Sequence, residues 1–148
     1  MSSLVIQVVD FGSELQKQSL ELRREILRKP LNLEFSLQEL AQENNQVHIV
    51  ASIDGIVVAC LLLVIVDSKT VKMRQVAVTG SLQGQGIGTR MVSFCEEWCI
   101  KKGYCRITLN ARENAIRFYK ELCYTVEGAP FLEVGIPHVK MLKDWCAG

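Results

Sequence analysis

The stretch Gln83-Gly84-Gln85-Gly86-Ile87-Gly88-Thr89-Arg90 sets three alternating glycines at the junction of two unlike patterns. Before it, Val71 to Val78 is rich in β-branched residues and reads as a strand. After it, Ile87, Met91, Phe94, Cys95 and Trp98 share one face of a helix that ends at Lys101 and Lys102, with Gly103 just past its end. Tyr104 to Leu109 is a strand again. Because a helix separates the two strands, they are expected to be parallel neighbours, with the glycines at the carboxyl end of the first. A loop without Cβ atoms can turn its N–H groups inward, and the helix start adds orphan donors and the positive end of the helix dipole. A diphosphate fits such a place. A tight turn with close helix packing would also use glycine, but few turns need three, and the binding reading takes precedence.

Working towards the amino terminus, Asp67 to Thr70 is a turn into Val71, and Asp54-Gly55 suits a tight hairpin between Val47 to Ile53 and Ile56 to Val66. These strands are expected to form an antiparallel meander. Ser36 with Glu39 opens a short helix that Asn44 and Asn45 end. Ser13 with Gln16 opens a longer one, Glu14 to Lys29, with Leu15, Leu22 and Ile26 on its apolar face and Pro30 as its stop. Leu4 to Val9 is the first strand. Towards the carboxyl terminus, Arg112 to Leu122 places Ala115, Phe118, Tyr119 and Leu122 on one helix face, and two or three short strands follow. The order β-α-α-β-β-β-α-β-α-β-β predicts an α+β, mixed α/β fold, read as a single domain over residues 1–148.

Composition narrows the function. The chain has 148 residues, 49% of them hydrophobic, and 17 Lys plus Arg against 16 Asp plus Glu. A chain of this length buries roughly 68 to 70% of its unfolded surface, so neither metals nor disulfides are required for a core. A formal net charge of +1 leaves no broad footprint for nucleic acid or an anionic membrane. The longest apolar run, Ile56 to Val66, is far short of the ~20 residues of a membrane-spanning helix. Met1 to Asp10 carries no secretory leader pattern, and the cytoplasm is the expected compartment. Cys60, Cys95, Cys99, Cys105, Cys123 and Cys146 form no Cys-x-x-Cys pair, and only His48 and His138 could join them at a metal. No metal is expected, and the cysteines read as reduced core residues.

Two familiar phosphate loops fail here. Gly88-Thr89 lacks the lysine of a Walker A loop. The dinucleotide fingerprint needs a glycine where Thr89 stands, and Arg106 and Thr108 lie near the place of its ribose carboxylate. The ligand left is a diphosphate that needs neither.

Gln83, Gly86 and Gly88 match the central motif of the GNAT superfamily of acyl-CoA-dependent N-acyltransferases, and the sequence resembles that family well beyond the motif. Met73 to Val78 looks like its fourth strand and Met91 to Lys102 like its central helix. Ala115-Ile116-Arg117-Phe118-Tyr119-Lys120-Glu121-Leu122-Cys123-Tyr124 is similar to its second motif. Two departures stand out: Arg112 where many members have Asn, with Asn114 out of register, and Cys123 where glycine is usual. Phe131-x-Glu133-x-Gly135-Ile136-Pro137-His138-x-x-Met141 resembles a small bacterial subgroup.

The resemblance implies a mostly antiparallel central sheet with helices on both faces and a parallel pair splayed where acetyl-CoA enters. It implies direct attack of a primary amine on the thioester. Backbone groups of Val76, Ala77 and Val78 would line the pantetheine arm, Val76 and Val78 supplying oxyanion donors. Gln83, Gly84, Gln85, Gly86, Ile87, Gly88 and Thr89 would hold the diphosphate, with Arg90 an added charge partner. Tyr119 matches the family's proton donor to the leaving thiolate, a phenol of ordinary pKa about 10; packing on the helix face is its other reading. Glu133 and His138 are the candidate bases for the amine. His48 is read as structural or acceptor-lining. Arg23, Arg24 and Arg28 border the acceptor side by resemblance, where they would select an anionic acceptor or form a solvated face. The acceptor is a small-molecule or protein amine, and a homodimer is expected by resemblance alone. A non-catalytic acyl-CoA sensor would use the same glycine loop while leaving Tyr119 and Glu133 as packing and surface residues.

Overall fold

The computed structural model describes residues 3–146. Of the amino-terminal stretch read for a leader, Met1 and Ser2 lie outside the described residues. Seven strands and four α-helices follow one another as β1 (Val5–Val9), α1 (Glu14–Arg23), α2 (Leu37–Ala41), β2 (Val47–Ile53), β3 (Ile56–Ile65), β4 (Thr70–Val78), α3 (Ile87–Lys102), β5 (Arg106–Arg112), α4 (Ile116–Glu121), β6 (Thr125–Glu133) and β7 (Ile136–Asp144). The sheet order is β1-β2-β3-β4-β5-β7-β6. β4 and β5 are its parallel pair, as the intervening helix requires. By internal contacts the chain divides into two compact units, Met1–Val64 with Gln75–Cys95, and Ile65–Arg74 with Glu96–Gly148.

In the first unit, Ser13 accepts from the Gln16 N–H at 3.3 Å and opens α1, but the Gln16 side chain reaches back to the Gly12 N–H at 3.0 Å, one residue before the cap. The long helix expected to Lys29 instead widens into a π-turn over Arg24–Arg28 and closes with a 3₁₀ turn at Lys29–Leu31. The wider turn brings both Ile26 and Leu27 to the core made by Val50, Val57, Cys60 and Ala77, alongside Leu15 and Leu22. Full burial of an aliphatic side chain is worth roughly 1.5–3 kcal/mol, and these partly buried ones gain a share of it. Ser36 and Glu39 complete the expected capping box at α2. The hairpin at Asp54-Gly55 forms with φ of 52° and 79°.

A buried clasp ties the two short helical segments together. Arg23 meets Glu43 bidentately at 2.8 and 3.1 Å, and its guanidinium lies 4.9 Å from the centre of the Phe35 ring. The His48 Nε2–H donates to the Glu43 carbonyl at 2.8 Å. Arg23 is 1% exposed, so it neither selects an acceptor nor forms a solvated face. Arg24 pairs with Glu21 and Glu34, and Arg28 with Glu39.

In the second unit, β5 starts later than expected. The N–H groups of Gly103 and Tyr104 close a Schellman cap on Ile100 and Cys99, and Cys105 bonds to Lys69, leaving Arg106 as the first strand residue. β5 runs to Arg112, whose extended backbone pairs with His138, so the following helix begins as a 3₁₀ turn and α4 is only six residues. Cys123 ends α4 in the left-handed region at φ 73°, with the same double cap on Tyr119 and Lys120. The family glycine position therefore governs the helix exit. Val71, Met73, Ile107, Leu109, Ala111, Val139 and Met141 alternate inward and are buried. The closing strands are two long ones, of nine residues each.

The reading of all six cysteines as reduced is corrected here. Cys105 and Cys146 form a disulfide with a Cα separation of 4.9 Å, beside a Trp145 N–H to Cys105 carbonyl bond of 2.9 Å. The strand register brings the end of β7 beside the start of β5, a proximity that spacing alone does not reveal. Cys60, Cys95 and Cys99 are buried thiols, and burial pushes Cys60 and Cys99 up to about 12. Cys123 is exposed rather than core.

Candidate active site

The first unit supplies a strand end, a loop and a helix start. The β4–β5 ladder pairs Thr70 through Met73 with Arg106 through Leu109 and stops, while β4 runs on to Val78. Gln75 then sits at φ 57°, a left-handed residue inside a strand. That conformation costs a non-glycine residue roughly 1–2 kcal/mol. The Gln75 Oε1 atom is buried without a hydrogen-bond partner among the described residues. Nothing in the sequence signals this conformation.

Past Val78 the loop is tied to the strand, because the Gln83 Nε2–H donates to the Val78 carbonyl at 2.9 Å. Gly84 and Gly86 have φ of 81° and 86°, and a Cβ at either would meet no atom within 4 Å. They are needed for backbone direction rather than for packing. Gly86 accepts the first helical bond from the Arg90 N–H at 3.1 Å but has no side chain with which to cap Ile87, Gly88 or Thr89. The loop from Gln83 to Gly86 is exposed, as are Thr89 and Arg90. These groups fit an anion such as a diphosphate, the whole set being backbone donors at a 16-residue helix start.

The second unit supplies titratable side chains. Tyr119 on α4 is buried, with its ring edge-on to Phe118 at 5.0 Å and to Tyr124 at 5.8 Å. Glu133, at the end of β6, has a polar neighbour at each carboxylate oxygen. The Asn110 Nδ2–H donates to Oε1 at 3.1 Å, and His138 Nε2 lies 3.4 Å from Oε2. The His138 Nδ1–H donates to the Ile136 carbonyl at 2.7 Å, so Nε2 faces the carboxylate and donates to it only when it carries a second proton. Phe131 stacks on the His138 ring at 6.1 Å.

The structure thus joins Glu133 and His138, and adds Asn110, which the sequence reading missed. The two candidate bases differ in access: the Glu133 side chain is 46% exposed and that of His138 only 4%. His48 is a buried member of the Glu43 clasp and is structural. Burial holds it below the ordinary histidine range. Arg112 faces His138 across the sheet, and Asn114 is an exposed residue of the 3₁₀ turn. Among the described residues no group of three His, Cys, Asp or Glu side chains could hold a metal ion. No described helix is long and apolar enough to cross a membrane.

The sequence pattern of the Acetyltransferase (GNAT) family matches residues 13–123. The chain belongs to the GNAT acetyltransferase family. The Bacillus subtilis protein YjcF, an uncharacterized N-acetyltransferase, is 34% identical over 74 residues, 49% of this chain and 53% of its own. The chain spans about half the length of the curated relatives it matches. Two solved structures share the GNAT fold. Escherichia coli ElaA superposes with a TM-score of 0.81 at 20% identity, covering 97% of this chain and 100% of its own. A GNAT family acetyltransferase from Elizabethkingia anophelis, solved with acetyl-CoA bound, gives 0.75 at 16% identity, covering 96% and 98%. The matched family region includes the glycine loop and Tyr119 but ends before Glu133 and His138. For these two residues the case rests on geometry.

Proposed function

We propose that this GNAT domain transfers the acetyl group of acetyl-CoA to a primary amine, on a small molecule or a protein, by direct attack. The observation that carries this reading is the Glu133 carboxylate, reachable from solvent, held at Oε1 by Asn110 and faced at Oε2 by His138. A solvated surface glutamate has no such constraint; a base that must meet an amine in one geometry does.

In this mechanism the N–H groups from Gln83 to Thr89 hold the diphosphate of acetyl-CoA, and Arg90 adds charge. Backbone N–H groups of Val76 and Val78 stabilise the oxyanion that forms as the amine nitrogen bonds to the thioester carbon. Glu133, oriented by Asn110, takes the proton the amine must lose, and His138 is too buried to meet the amine. Tyr119 donates a proton to the thiolate as the carbon–sulfur bond breaks. The products are an acetamide and free coenzyme A.

Calorimetry with acetyl-CoA, coenzyme A, ATP and NAD, followed by a primary-amine panel read as thiol release, tests the proposal. Selective acetyl-CoA binding with amine-dependent thiol release is the expected result. Acetyl-CoA binding without thiol release across the panel would overturn the transfer reaction in favour of an acyl-CoA sensor. Absence of coenzyme A binding would remove the role given to the glycine loop.

A further inference from the structure

In the second unit, β5 presents two rows of side chains. Ile107, Leu109 and Ala111 face the core, and Lys143, the β7 partner of Ile107, reaches Glu96 of α3 at 3.2 Å on that side. The opposite row, Arg106, Thr108 and Asn110, is half-buried. Thr70, Arg106, Thr108, Lys140 and Leu142 line a cavity of about 350 Å³ there, at the small end of the range for small-molecule sites. Asn110, next in the row, is the residue that holds Glu133.

The cations of this face are not equivalent. Arg106 pairs with Asp144 at 2.9 Å and Lys140 with Glu127 at 3.2 Å, and Arg74 and Arg112 are likewise partnered. Lys72 of β4, in register with Thr108, is half-buried and has no hydrogen bond or ion pair among the described residues. A lysine rarely gives up part of its water without a partner. We propose that the amine acceptor carries a carboxylate, which the Lys72 ammonium and the Thr108 hydroxyl hold while the amine meets Glu133. This inference rests on the acetyl-transfer reading of the site. Thr108 and Asn110 stand two residues apart on one strand, about 7 Å, so the two charged ends belong to one short chain rather than to one carbon. Glu133 repels the carboxylate and Lys72 repels the protonated amine, which gives the acceptor one direction of entry. A single ammonium beside one hydroxyl matches a monoanion, whereas a phosphate dianion calls for more donors.

The test is thiol release from acetyl-CoA with 6-aminohexanoate, hexylamine, hexanediamine and aminopentyl phosphate, on wild type, Lys72→Gln and Lys72→Glu. Each comparison is a ratio of kcat/KM values within one protein, so a loss of folded enzyme cancels. Wild type is expected to prefer 6-aminohexanoate to hexylamine by about 5-fold or more, the upper end for a solvent-accessible ion pair. Lys72→Gln is expected to lose that preference and Lys72→Glu to turn it towards hexanediamine. A wild type indifferent to the carboxylate, a preference retained in Lys72→Gln, or a wild type that favours aminopentyl phosphate would overturn the inference and leave the transfer reaction standing. Wild-type protein that binds acetyl-CoA yet releases thiol with no amine would overturn the proposed function itself, and this inference with it.

Discussion

The hairpin joining β2 to β3 turns at Asp54-Gly55 and the one joining β6 to β7 turns at Val134-Gly135, with φ of 52° and 79° in the first and 46° and 75° in the second. The backbones nearly coincide while the residues do not. Aspartate tolerates the left-handed region, and a β-branched valine is an outlier there. The first hairpin is buried along most of both strands; β6 is exposed along its whole length and carries Glu133 next to the strained residue. Each also holds a buried histidine. His48 bonds a carbonyl through one nitrogen and leaves the other without a hydrogen-bond partner among the described residues, whereas His138 turns one nitrogen to a carbonyl and the other to Glu133. The contrast separates a hairpin built for packing from one whose strain and polar contacts converge on a single carboxylate.

The largest effect should come from removing that carboxylate's charge. Glu133→Gln keeps the shape and is expected to lower kcat by about 10²- to 10⁴-fold, the range for a general base, with acetyl-CoA affinity unchanged by calorimetry. Wild-type turnover in this variant would make the second hairpin as purely structural as the first.

A second difference is anchorage. The far end of β7 is tied to β5 by Cys105–Cys146, across a sequence separation of 41, which the chain-entropy relation values at about 4 kcal/mol. Urea unfolding of Cys105→Ser with Cys146→Ser is expected to show a loss of up to that size. A loss near zero would mean that the strand pairing holds β7 unaided.

Turn strain comes next. Val134→Asn is expected to stabilise by about 1 kcal/mol and Asp54→Val to destabilise by a similar amount, measured as unfolding midpoints. Stabilisation by Val134→Asn together with reduced kcat would tie the strain to the site.

The smallest effect is a pH dependence in the first hairpin. His48 lies below its ordinary value of 6.5 because burial disfavours its charged form. The unfolded chain therefore binds the extra proton first, so its stabilisation is complete above pH 6.5 and declines as pH falls below it. A shallower decline in His48→Gln than in wild type is expected from unfolding midpoints taken on either side of that value. Parallel slopes would place the acid sensitivity elsewhere.

The legible features were the ones encoded over a few consecutive residues. Ser36 with Glu39, Asp54-Gly55, Gly103 after two lysines, and the glycine loop all act through backbone conformations that neighbouring residues control, and each was found where its sequence placed it. The first helix was legible in its start and its apolar face but not in its π-turn, since the extra residue per turn answers to the core it meets. β5 slid by two residues because Tyr104 and Cys105 were used to close the preceding helix and turn. Glu133 and His138 were legible as candidates from their residue types and resemblance, without any indication that they touch.

By itself, the sequence determined the order of strands and helices, the parallel crossover, and the glycine loop at the start of α3, because local propensity, caps and glycine conformations act within a few residues. The tertiary structure decided which groups meet. Asn110 reaches Glu133 across the sheet, Cys105 finds Cys146, Arg23 is withdrawn into a clasp with Glu43, and Gln75 takes a left-handed conformation inside β4. Each of these depends on strand register or helix packing between segments remote in the chain. A one-residue slip in register reverses every side chain of a strand, so side-chain partnerships are settled only when the sheet and its core form together.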